Sequence, residues 1–134
     1  MALPVAADMR LREVGFGDWE GHSADELRQR DPQLITRFYS DPVRNRPSGA
    51  EPLDAFSARV NAAIGDILKG HQGQHTLVVT HAGVIRATLG HVTQAPAIAW
   101  YRSAVDNAAI SRFAHDGERS KLLVNNWRPV LGTG

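Results

Sequence analysis

The segment Thr76-Leu77-Val78-Val79-Thr80 runs directly into His81-Ala82-Gly83 and then Val84, Ile85, Ala87, Thr88 and Leu89. This order of textures constrains the fold more than any other feature. A short, nearly continuous apolar run with β-branched residues suits a strand buried on both faces, as in a parallel sheet. The residues after Gly83 predict a helix to about His91. Strand, turn and helix in that order put His81 at the carboxyl end of a strand, where open α/β sheets bind ligands. The free N–H groups of the helix point into the same crevice and favour an anion such as phosphate. A histidine there can donate to phosphate oxygens or, as imidazolium, offset transition-state charge. It can equally be a histidine that merely caps the helix, and spacing alone leaves both readings open.

The remaining chain supplies partners for such a unit. Residues from about Pro4 to Phe16 read as extended chain entering a Gly-, Asp- and Trp-containing loop. Ser23 followed by Glu26 is a capping box that opens a short helix. Asp31 and Pro32 fit the N-cap and first position of a second helix running to about Tyr39. Asp41–Pro52, with three prolines and a glycine, is a loop of functional length. Leu53, Phe56, Val60, Ile64, Ile67 and Leu68 recur at three- and four-residue steps, and Gly70 ends that helix. Pro96 to Arg102 reads as a further short helix. Ala108–Phe113 and Lys121–Val124 flank Asp116-Gly117 as a β-hairpin. Helices alternating with strands predict a single α/β sandwich domain with the hairpin at one sheet edge.

Composition narrows the chemistry. The chain has 134 residues, 43% apolar and 22% charged, with 15 basic and 14 acidic side chains for a formal charge of +1. That balance predicts neither a nucleic-acid nor a membrane-surface partner. No cysteine is present, which removes disulfides, zinc–thiolate sites and thiol nucleophiles and suits a cytoplasmic setting. No apolar run approaches the ~20 residues of a membrane span.

Four collinear segments carry a family resemblance. Thr76–Arg86 resembles the second-histidine motif of the histidine phosphatase superfamily, the phosphoglycerate mutase-like fold. Leu11-Arg12-Glu13-Val14-Gly15-Phe16-Gly17-Asp18-Trp19-Glu20-Gly21 resembles that family's Leu-x-Glu and aromatic–Gly–x–Trp–Glu–Gly landmark. Pro47-Ser48-Gly49-Ala50-Glu51 is similar to its Pro-Gly-Gly-Glu-Ser turn, and Asp106–Ser111 to its asparagine-bearing strand start. Together they cover nearly the whole chain.

The resemblance implies a three-layer α/β sandwich with a mostly parallel sheet. It implies that His81 hydrogen-bonds the transferring phosphoryl group, helped by Ala82 and Gly83. Glu13 would be the general acid that protonates the leaving alkoxide and then the base that activates water. That role needs a carboxyl whose pKa is raised by burial or by the phosphate. Glu51 and Asn107 would either shape the pocket or stabilise loops. No metal or organic cofactor is required, and the substrate is a small phosphorylated molecule.

The family's nucleophile is a different histidine, in an Arg-His-Gly motif on the first strand, and it forms a phosphohistidine. No Arg-His pair occurs here, and Met1 falls just ahead of where the family's third strand would begin. The domain, residues 1–134, is therefore expected to be amino-terminally incomplete and to lack its first strand. Residues 76–80 would then present an unpaired edge and an uncovered apolar face, so a complementing fragment, a second copy or poor solubility is expected. The other histidines offer no substitute. His22, His91 and His115 sit beside caps, helix ends or turns, while Gly70 and Gly73 place His71 and His75 in a loop unsuited to metal. Arg44 and Arg46 are either solvated loop charges or a lid that reaches a phosphorylated substrate, and Arg86 is expected to pair with a surface carboxylate.

The expected activity is phosphomonoester hydrolysis of the small phosphatase branch, to which ribazole phosphatases belong. Mutase-type phosphoryl transfer is the alternative within the class. A truncated, non-catalytic domain that binds phosphate or a partner is the alternative outside it.

Overall fold

The computed structural model describes residues 2–130. Four α-helices carry the architecture: α1 (Ala24–Arg30), α2 (Leu34–Ser40), α3 (Leu53–Gly70) and α4 (Ala82–Thr93). Short 3₁₀ segments at Met9–Leu11 and Gly17–Trp19 precede them, and one at Ala97–Arg102 follows α4. The chain closes with an antiparallel hairpin, β1 (Ile110–His115) and β2 (Ser120–Trp127).

Local chemistry explains most boundaries. Ser23 Oγ accepts from Glu26 N at 3.1 Å and starts α1. Asp31 Oδ1 accepts from Gln33 N at 2.9 Å, so Asp31 organises the turn and α2 begins at Leu34, later than the Asp31-Pro32 signal predicts. At the hairpin, Asp116 Oδ1 accepts from both Glu118 N and Arg119 N. α4 runs past His91 to Thr93 and ends on Gln94 in the left-handed region, φ 58°.

The core lies between α3 and α4. Leu53, Phe56 and Val60 of α3 meet Val84 and Ala87 of α4, with Val14 and Trp100 sealing the ends. Each buried side chain of this size contributes about 1.5–3 kcal/mol. Gly90 belongs to this packing, because a Cβ there would overlap Trp100 Nε1. An aromatic cluster of Phe16, Trp19, Phe38, Tyr39 and Tyr101 extends the packing beneath α2.

The expected sheet is where sequence and structure part. Among the described residues the only sheet is the two-stranded antiparallel hairpin; the mostly parallel sheet of a three-layer sandwich is not formed. Residues 75–80 form no regular secondary structure and join no ladder, and Leu77 and Val79 are 77% and 89% exposed. The strand reading, buried on both faces, is corrected to an unpaired segment with one side partly covered. Val78 and Thr80 are partly buried, with Thr80 Oγ1 donating to Leu11 O at 2.8 Å. The physical reason is that a strand needs lateral backbone partners, and no described segment provides them.

The Trp-Glu-Gly loop and the proline-rich loop lie side by side. Asp18 N donates to Ser48 O (3.0 Å) and Glu51 N to Gly15 O (2.8 Å). Gly17 holds this contact at φ +55°, and a Cβ there would overlap Ser48 O. Gly17→Ala combines left-handed backbone strain with a clash against backbone, so it is expected to cost about 2 kcal/mol or more. A lowered urea midpoint at unchanged m-value would register it.

Candidate active site

Glu13 and Gly83 meet at the start of α4. Gly83 N, in the first turn of the helix, donates to Glu13 Oε2 at 3.2 Å, and Glu13 Oε1 accepts from Val14 N at 2.8 Å. The carboxylate therefore lies at the positive end of the helix dipole. Gly83 is buried, and a Cβ at its position would overlap Glu13 Oε1 and sit 3.1 Å from Cδ. The glycine is what lets the carboxylate reach the helix end.

His81 is the N-cap residue of α4, with extended backbone at φ −123° and ψ 160°. Its side chain makes no capping hydrogen bond and is exposed. Of the two openings left by spacing, the side-chain cap is therefore not the role it plays here. Ala82 begins the helix between His81 and Gly83.

Arg59 holds Glu13 in place from below. All five guanidinium N–H donors are used: Nε to Glu51 Oε2 (2.8 Å), Nη1 to Arg10 O (2.6 Å) and Arg12 O (2.9 Å), Nη2 to Glu13 O and Glu51 Oε1 (both 2.9 Å). The same guanidinium lies 4.7 Å from the Phe56 ring centroid. Glu51 also accepts from Gly15 N at 3.2 Å. The Arg59 guanidinium beside it holds the Glu51 carboxyl below the usual carboxylate range. Glu51 thus has the loop-stabilising position, its two oxygens committed to Arg59 and the Gly15 amide. Sequence reading missed Arg59. The available signal was a cation three residues after Phe56, on the edge of the buried stripe of α3.

Other expected residues fall elsewhere. Asn107 lies exposed in the turn before β1. Arg44 is a solvated loop charge, 87% exposed and 3.8 Å from Asp41. Arg46 is not; it is half-buried against Pro42. Among the described residues Arg86 forms no surface ion pair. Its Nε donates to Ser103 O and its guanidinium lies 5.3 Å from the Tyr101 ring centroid. Tyr101 is a second residue that sequence reading passed over. His22 pairs with Glu26 at 3.0 Å. Surface depressions of about 430 and 510 Å³ border Pro96, and neither includes Glu13, Gly83 or His81. Among the described residues no group of three or more His, Asp or Glu side chains is arranged to hold a metal ion, and no helix is long and apolar enough to cross a membrane.

A carboxylate resting on the first turn of a helix whose N-cap is an uncommitted histidine can exchange a proton with a group that approaches it. The model of the histidine phosphatase superfamily (branch 1) matches residues 1–128. The chain belongs to that family, whose α/β fold its structural neighbours share. It is 36% identical over 127 residues to a bifunctional protein of Mycobacterium tuberculosis, covering 93% of this chain and 35% of that one. It is 30% identical over 128 residues to the adenosylcobalamin/alpha-ribazole phosphatase of Escherichia coli K12, covering 96% of this chain and 63% of the other. The solved structure of YhfR from Bacillus stearothermophilus superposes with a TM-score of 0.80 at 28% identity, over 91% of this chain and 61% of that chain. The chain therefore spans between about a third and two thirds of the length of these relatives.

Proposed function

We propose that this chain supplies the acid–base half of a phosphomonoesterase site, with Glu13 as general acid and then base and His81 as phosphoryl ligand. The observation that carries the reading is the Glu13–Gly83 contact, which sets a carboxyl beside the second residue after an uncommitted histidine. In the first step a histidine outside these residues attacks phosphorus, the P–O ester bond breaks, and Glu13 gives its proton to the departing alkoxide. In the second, Glu13 takes a proton from water as the oxygen attacks the phosphohistidine, releasing phosphate. The ribazole phosphatase relative supports a small phosphate monoester as the substrate class. A cytoplasmic setting is part of the same reading.

The exposed faces of Leu77 and Val79 support a further element of the proposal. Residues 76–80 take their place in a mostly parallel sheet, completing the three-layer sandwich, when a complementing fragment or a second copy provides a neighbouring strand.

Hydrolysis of p-nitrophenyl phosphate by the chain together with a segment that supplies the nucleophilic histidine tests the chemistry. Glu13→Gln is expected to lower kcat by about 10²–10⁴, and His81→Ala to lower both kcat and phosphate affinity. Equal rates in wild type and both variants would refute the assignment. The absence of any Arg-His pair in the sequence favours a second reading, a phosphate-binding domain without turnover. It predicts no hydrolysis in any form but phosphate binding that His81→Ala removes.

A further inference from the structure

The stretch of chain that carries Glu13 is held by side chains. The four consecutive carbonyls of Arg10, Leu11, Arg12 and Glu13 each accept a hydrogen bond from a side-chain donor. Arg59 of α3 supplies three of these bonds, at 2.6 to 2.9 Å. Thr80 Oγ1 supplies the fourth, to Leu11 O at 2.8 Å. Thr80 is the residue directly before His81, and Leu11 lies two residues before Glu13. One hydroxyl therefore joins, across 69 residues of sequence, the two stretches that bear the site.

Among the described residues this is the only hydrogen bond that residues 75–80 make. The same two stretches meet again where Gly83 N donates to Glu13 Oε2 at 3.2 Å, the long end of the ordinary range. The Thr80 bond has the distance typical of a hydroxyl donor and is the shorter of the two. It grips backbone, whereas the Gly83 contact lies at the tip of a flexible side chain. The hydroxyl bond thus fixes how the two stretches lie, and the carboxylate contact depends on it. Ladder bonds use backbone groups alone, so a neighbouring strand for residues 76–80 leaves the hydroxyl free to keep its bond.

We propose that Thr80 is a positioning residue for ester hydrolysis: by holding Leu11 O, its hydroxyl sets the Glu13 carboxyl at the leaving oxygen of a phosphoryl group bound by His81. The inference rests on the reading of Glu13 as general acid. A group displaced by about 1 Å can lose on the order of 10² in rate. Here the loss falls on the proton that Glu13 gives to the departing oxygen. An ester whose leaving group departs readily as an anion needs no such proton and escapes the loss.

The deciding measurement is kcat/KM for two esters, with the chain and the segment that supplies the nucleophilic histidine present together. Glycerol 2-phosphate releases an alkoxide that must be protonated, whereas 2,4-dinitrophenyl phosphate releases a stable phenolate. Because kcat/KM ends at departure of the leaving group, the later water-activating step does not enter. Both esters are measured on one preparation, so their ratio cancels the fraction of folded protein. Thr80→Val keeps the shape and removes the hydroxyl. It is expected to lower kcat/KM for glycerol 2-phosphate at least about tenfold and to leave the dinitrophenyl ester within roughly twofold. Thr80→Ser keeps the hydroxyl and should hold the ratio of the two esters within about threefold of wild type. Glu13→Gln should show the selectivity of Thr80→Val at about 10² or more. With Glu13→Gln selective, an equal loss on both esters in Thr80→Val, or no loss on either, overturns the positioning role. So does a Thr80→Ser ratio shifted as far as that of Thr80→Val. If Glu13→Gln itself shows no selectivity, the general-acid reading fails and the inference falls with it. A wild-type pairing that hydrolyses neither ester overturns both.

Discussion

Replacing Arg59 with methionine is expected to destabilise the fold by about 3–4 kcal/mol, near the upper range for one substitution. The methionine can keep much of the packing against Phe56 but offers no donor. Three backbone carbonyls, those of Arg10, Arg12 and Glu13, lose their partner at once, and the Glu51 carboxylate is left without its cation. Both side chains of the pair are largely covered, 13% exposed for Arg59 and 19% for Glu51, so water restores little of what is lost. Glu51→Gln should cost less, about 1–2 kcal/mol, because the amide oxygen still accepts from Arg59.

The pH dependence has a definite sign. Because Arg59 depresses the Glu51 carboxyl, the pair stabilises the fold fully above the ordinary glutamate pKa of about 4.3. That contribution fades as pH falls through the lower folded-state value. The gap in urea midpoint between wild type and Arg59→Met should therefore narrow in acid without closing, since the three carbonyl contacts do not titrate. A gap that widens below pH ~4 would contradict the pairing.

Gly83→Ala is expected to separate function from stability. Alanine is the better helix residue by about 0.5–1 kcal/mol, and the atom that its Cβ would strike is the end of a flexible side chain. Glu13 can swing away, so the fold should change by less than about 1 kcal/mol: the helix gain roughly offsets the lost Gly83–Glu13 bond. The carboxyl then no longer sits at the helix end. If Glu13 is the general acid, hydrolysis should fall about as far as in Glu13→Gln, by 10² or more. The informative pair of measurements is kcat and the thermal midpoint of the same variant. A large drop in the midpoint with proportionate loss of activity would mean that Gly83 serves packing alone.

Much of the helical framework was legible in the sequence because it is set by local rules. The stripe Leu53, Phe56, Val60 defines α3, Ser23 and Glu26 cap α1, and Asp116-Gly117 turns the hairpin. The family resemblance was legible for a related reason: its motifs are contiguous stretches of chain. Pairing across distance was less visible. Arg59 meets backbone 46 to 49 residues away and Glu51 eight residues away, and nothing in its local pattern separates such an arginine from a solvated one. Arg44 and Arg46 stand two residues apart in one loop, yet one is solvated and the other half-buried.

By itself, then, the sequence determined the helices, the hairpin, the family and the approach of a histidine to a helix start. Residues 76–80 show the limit of that determination. Their β-branched, apolar texture favours extended backbone, but a strand exists only when neighbouring backbone donors and acceptors are present to pair with it. The tertiary structure decided that Leu77 and Val79 face outward, that Glu13 rests on Gly83, and that one donor of Arg59 holds its backbone carbonyl. Each depends on groups far apart in sequence, whose encounter is fixed by the packing of α3 against α4 rather than by the residues on either side.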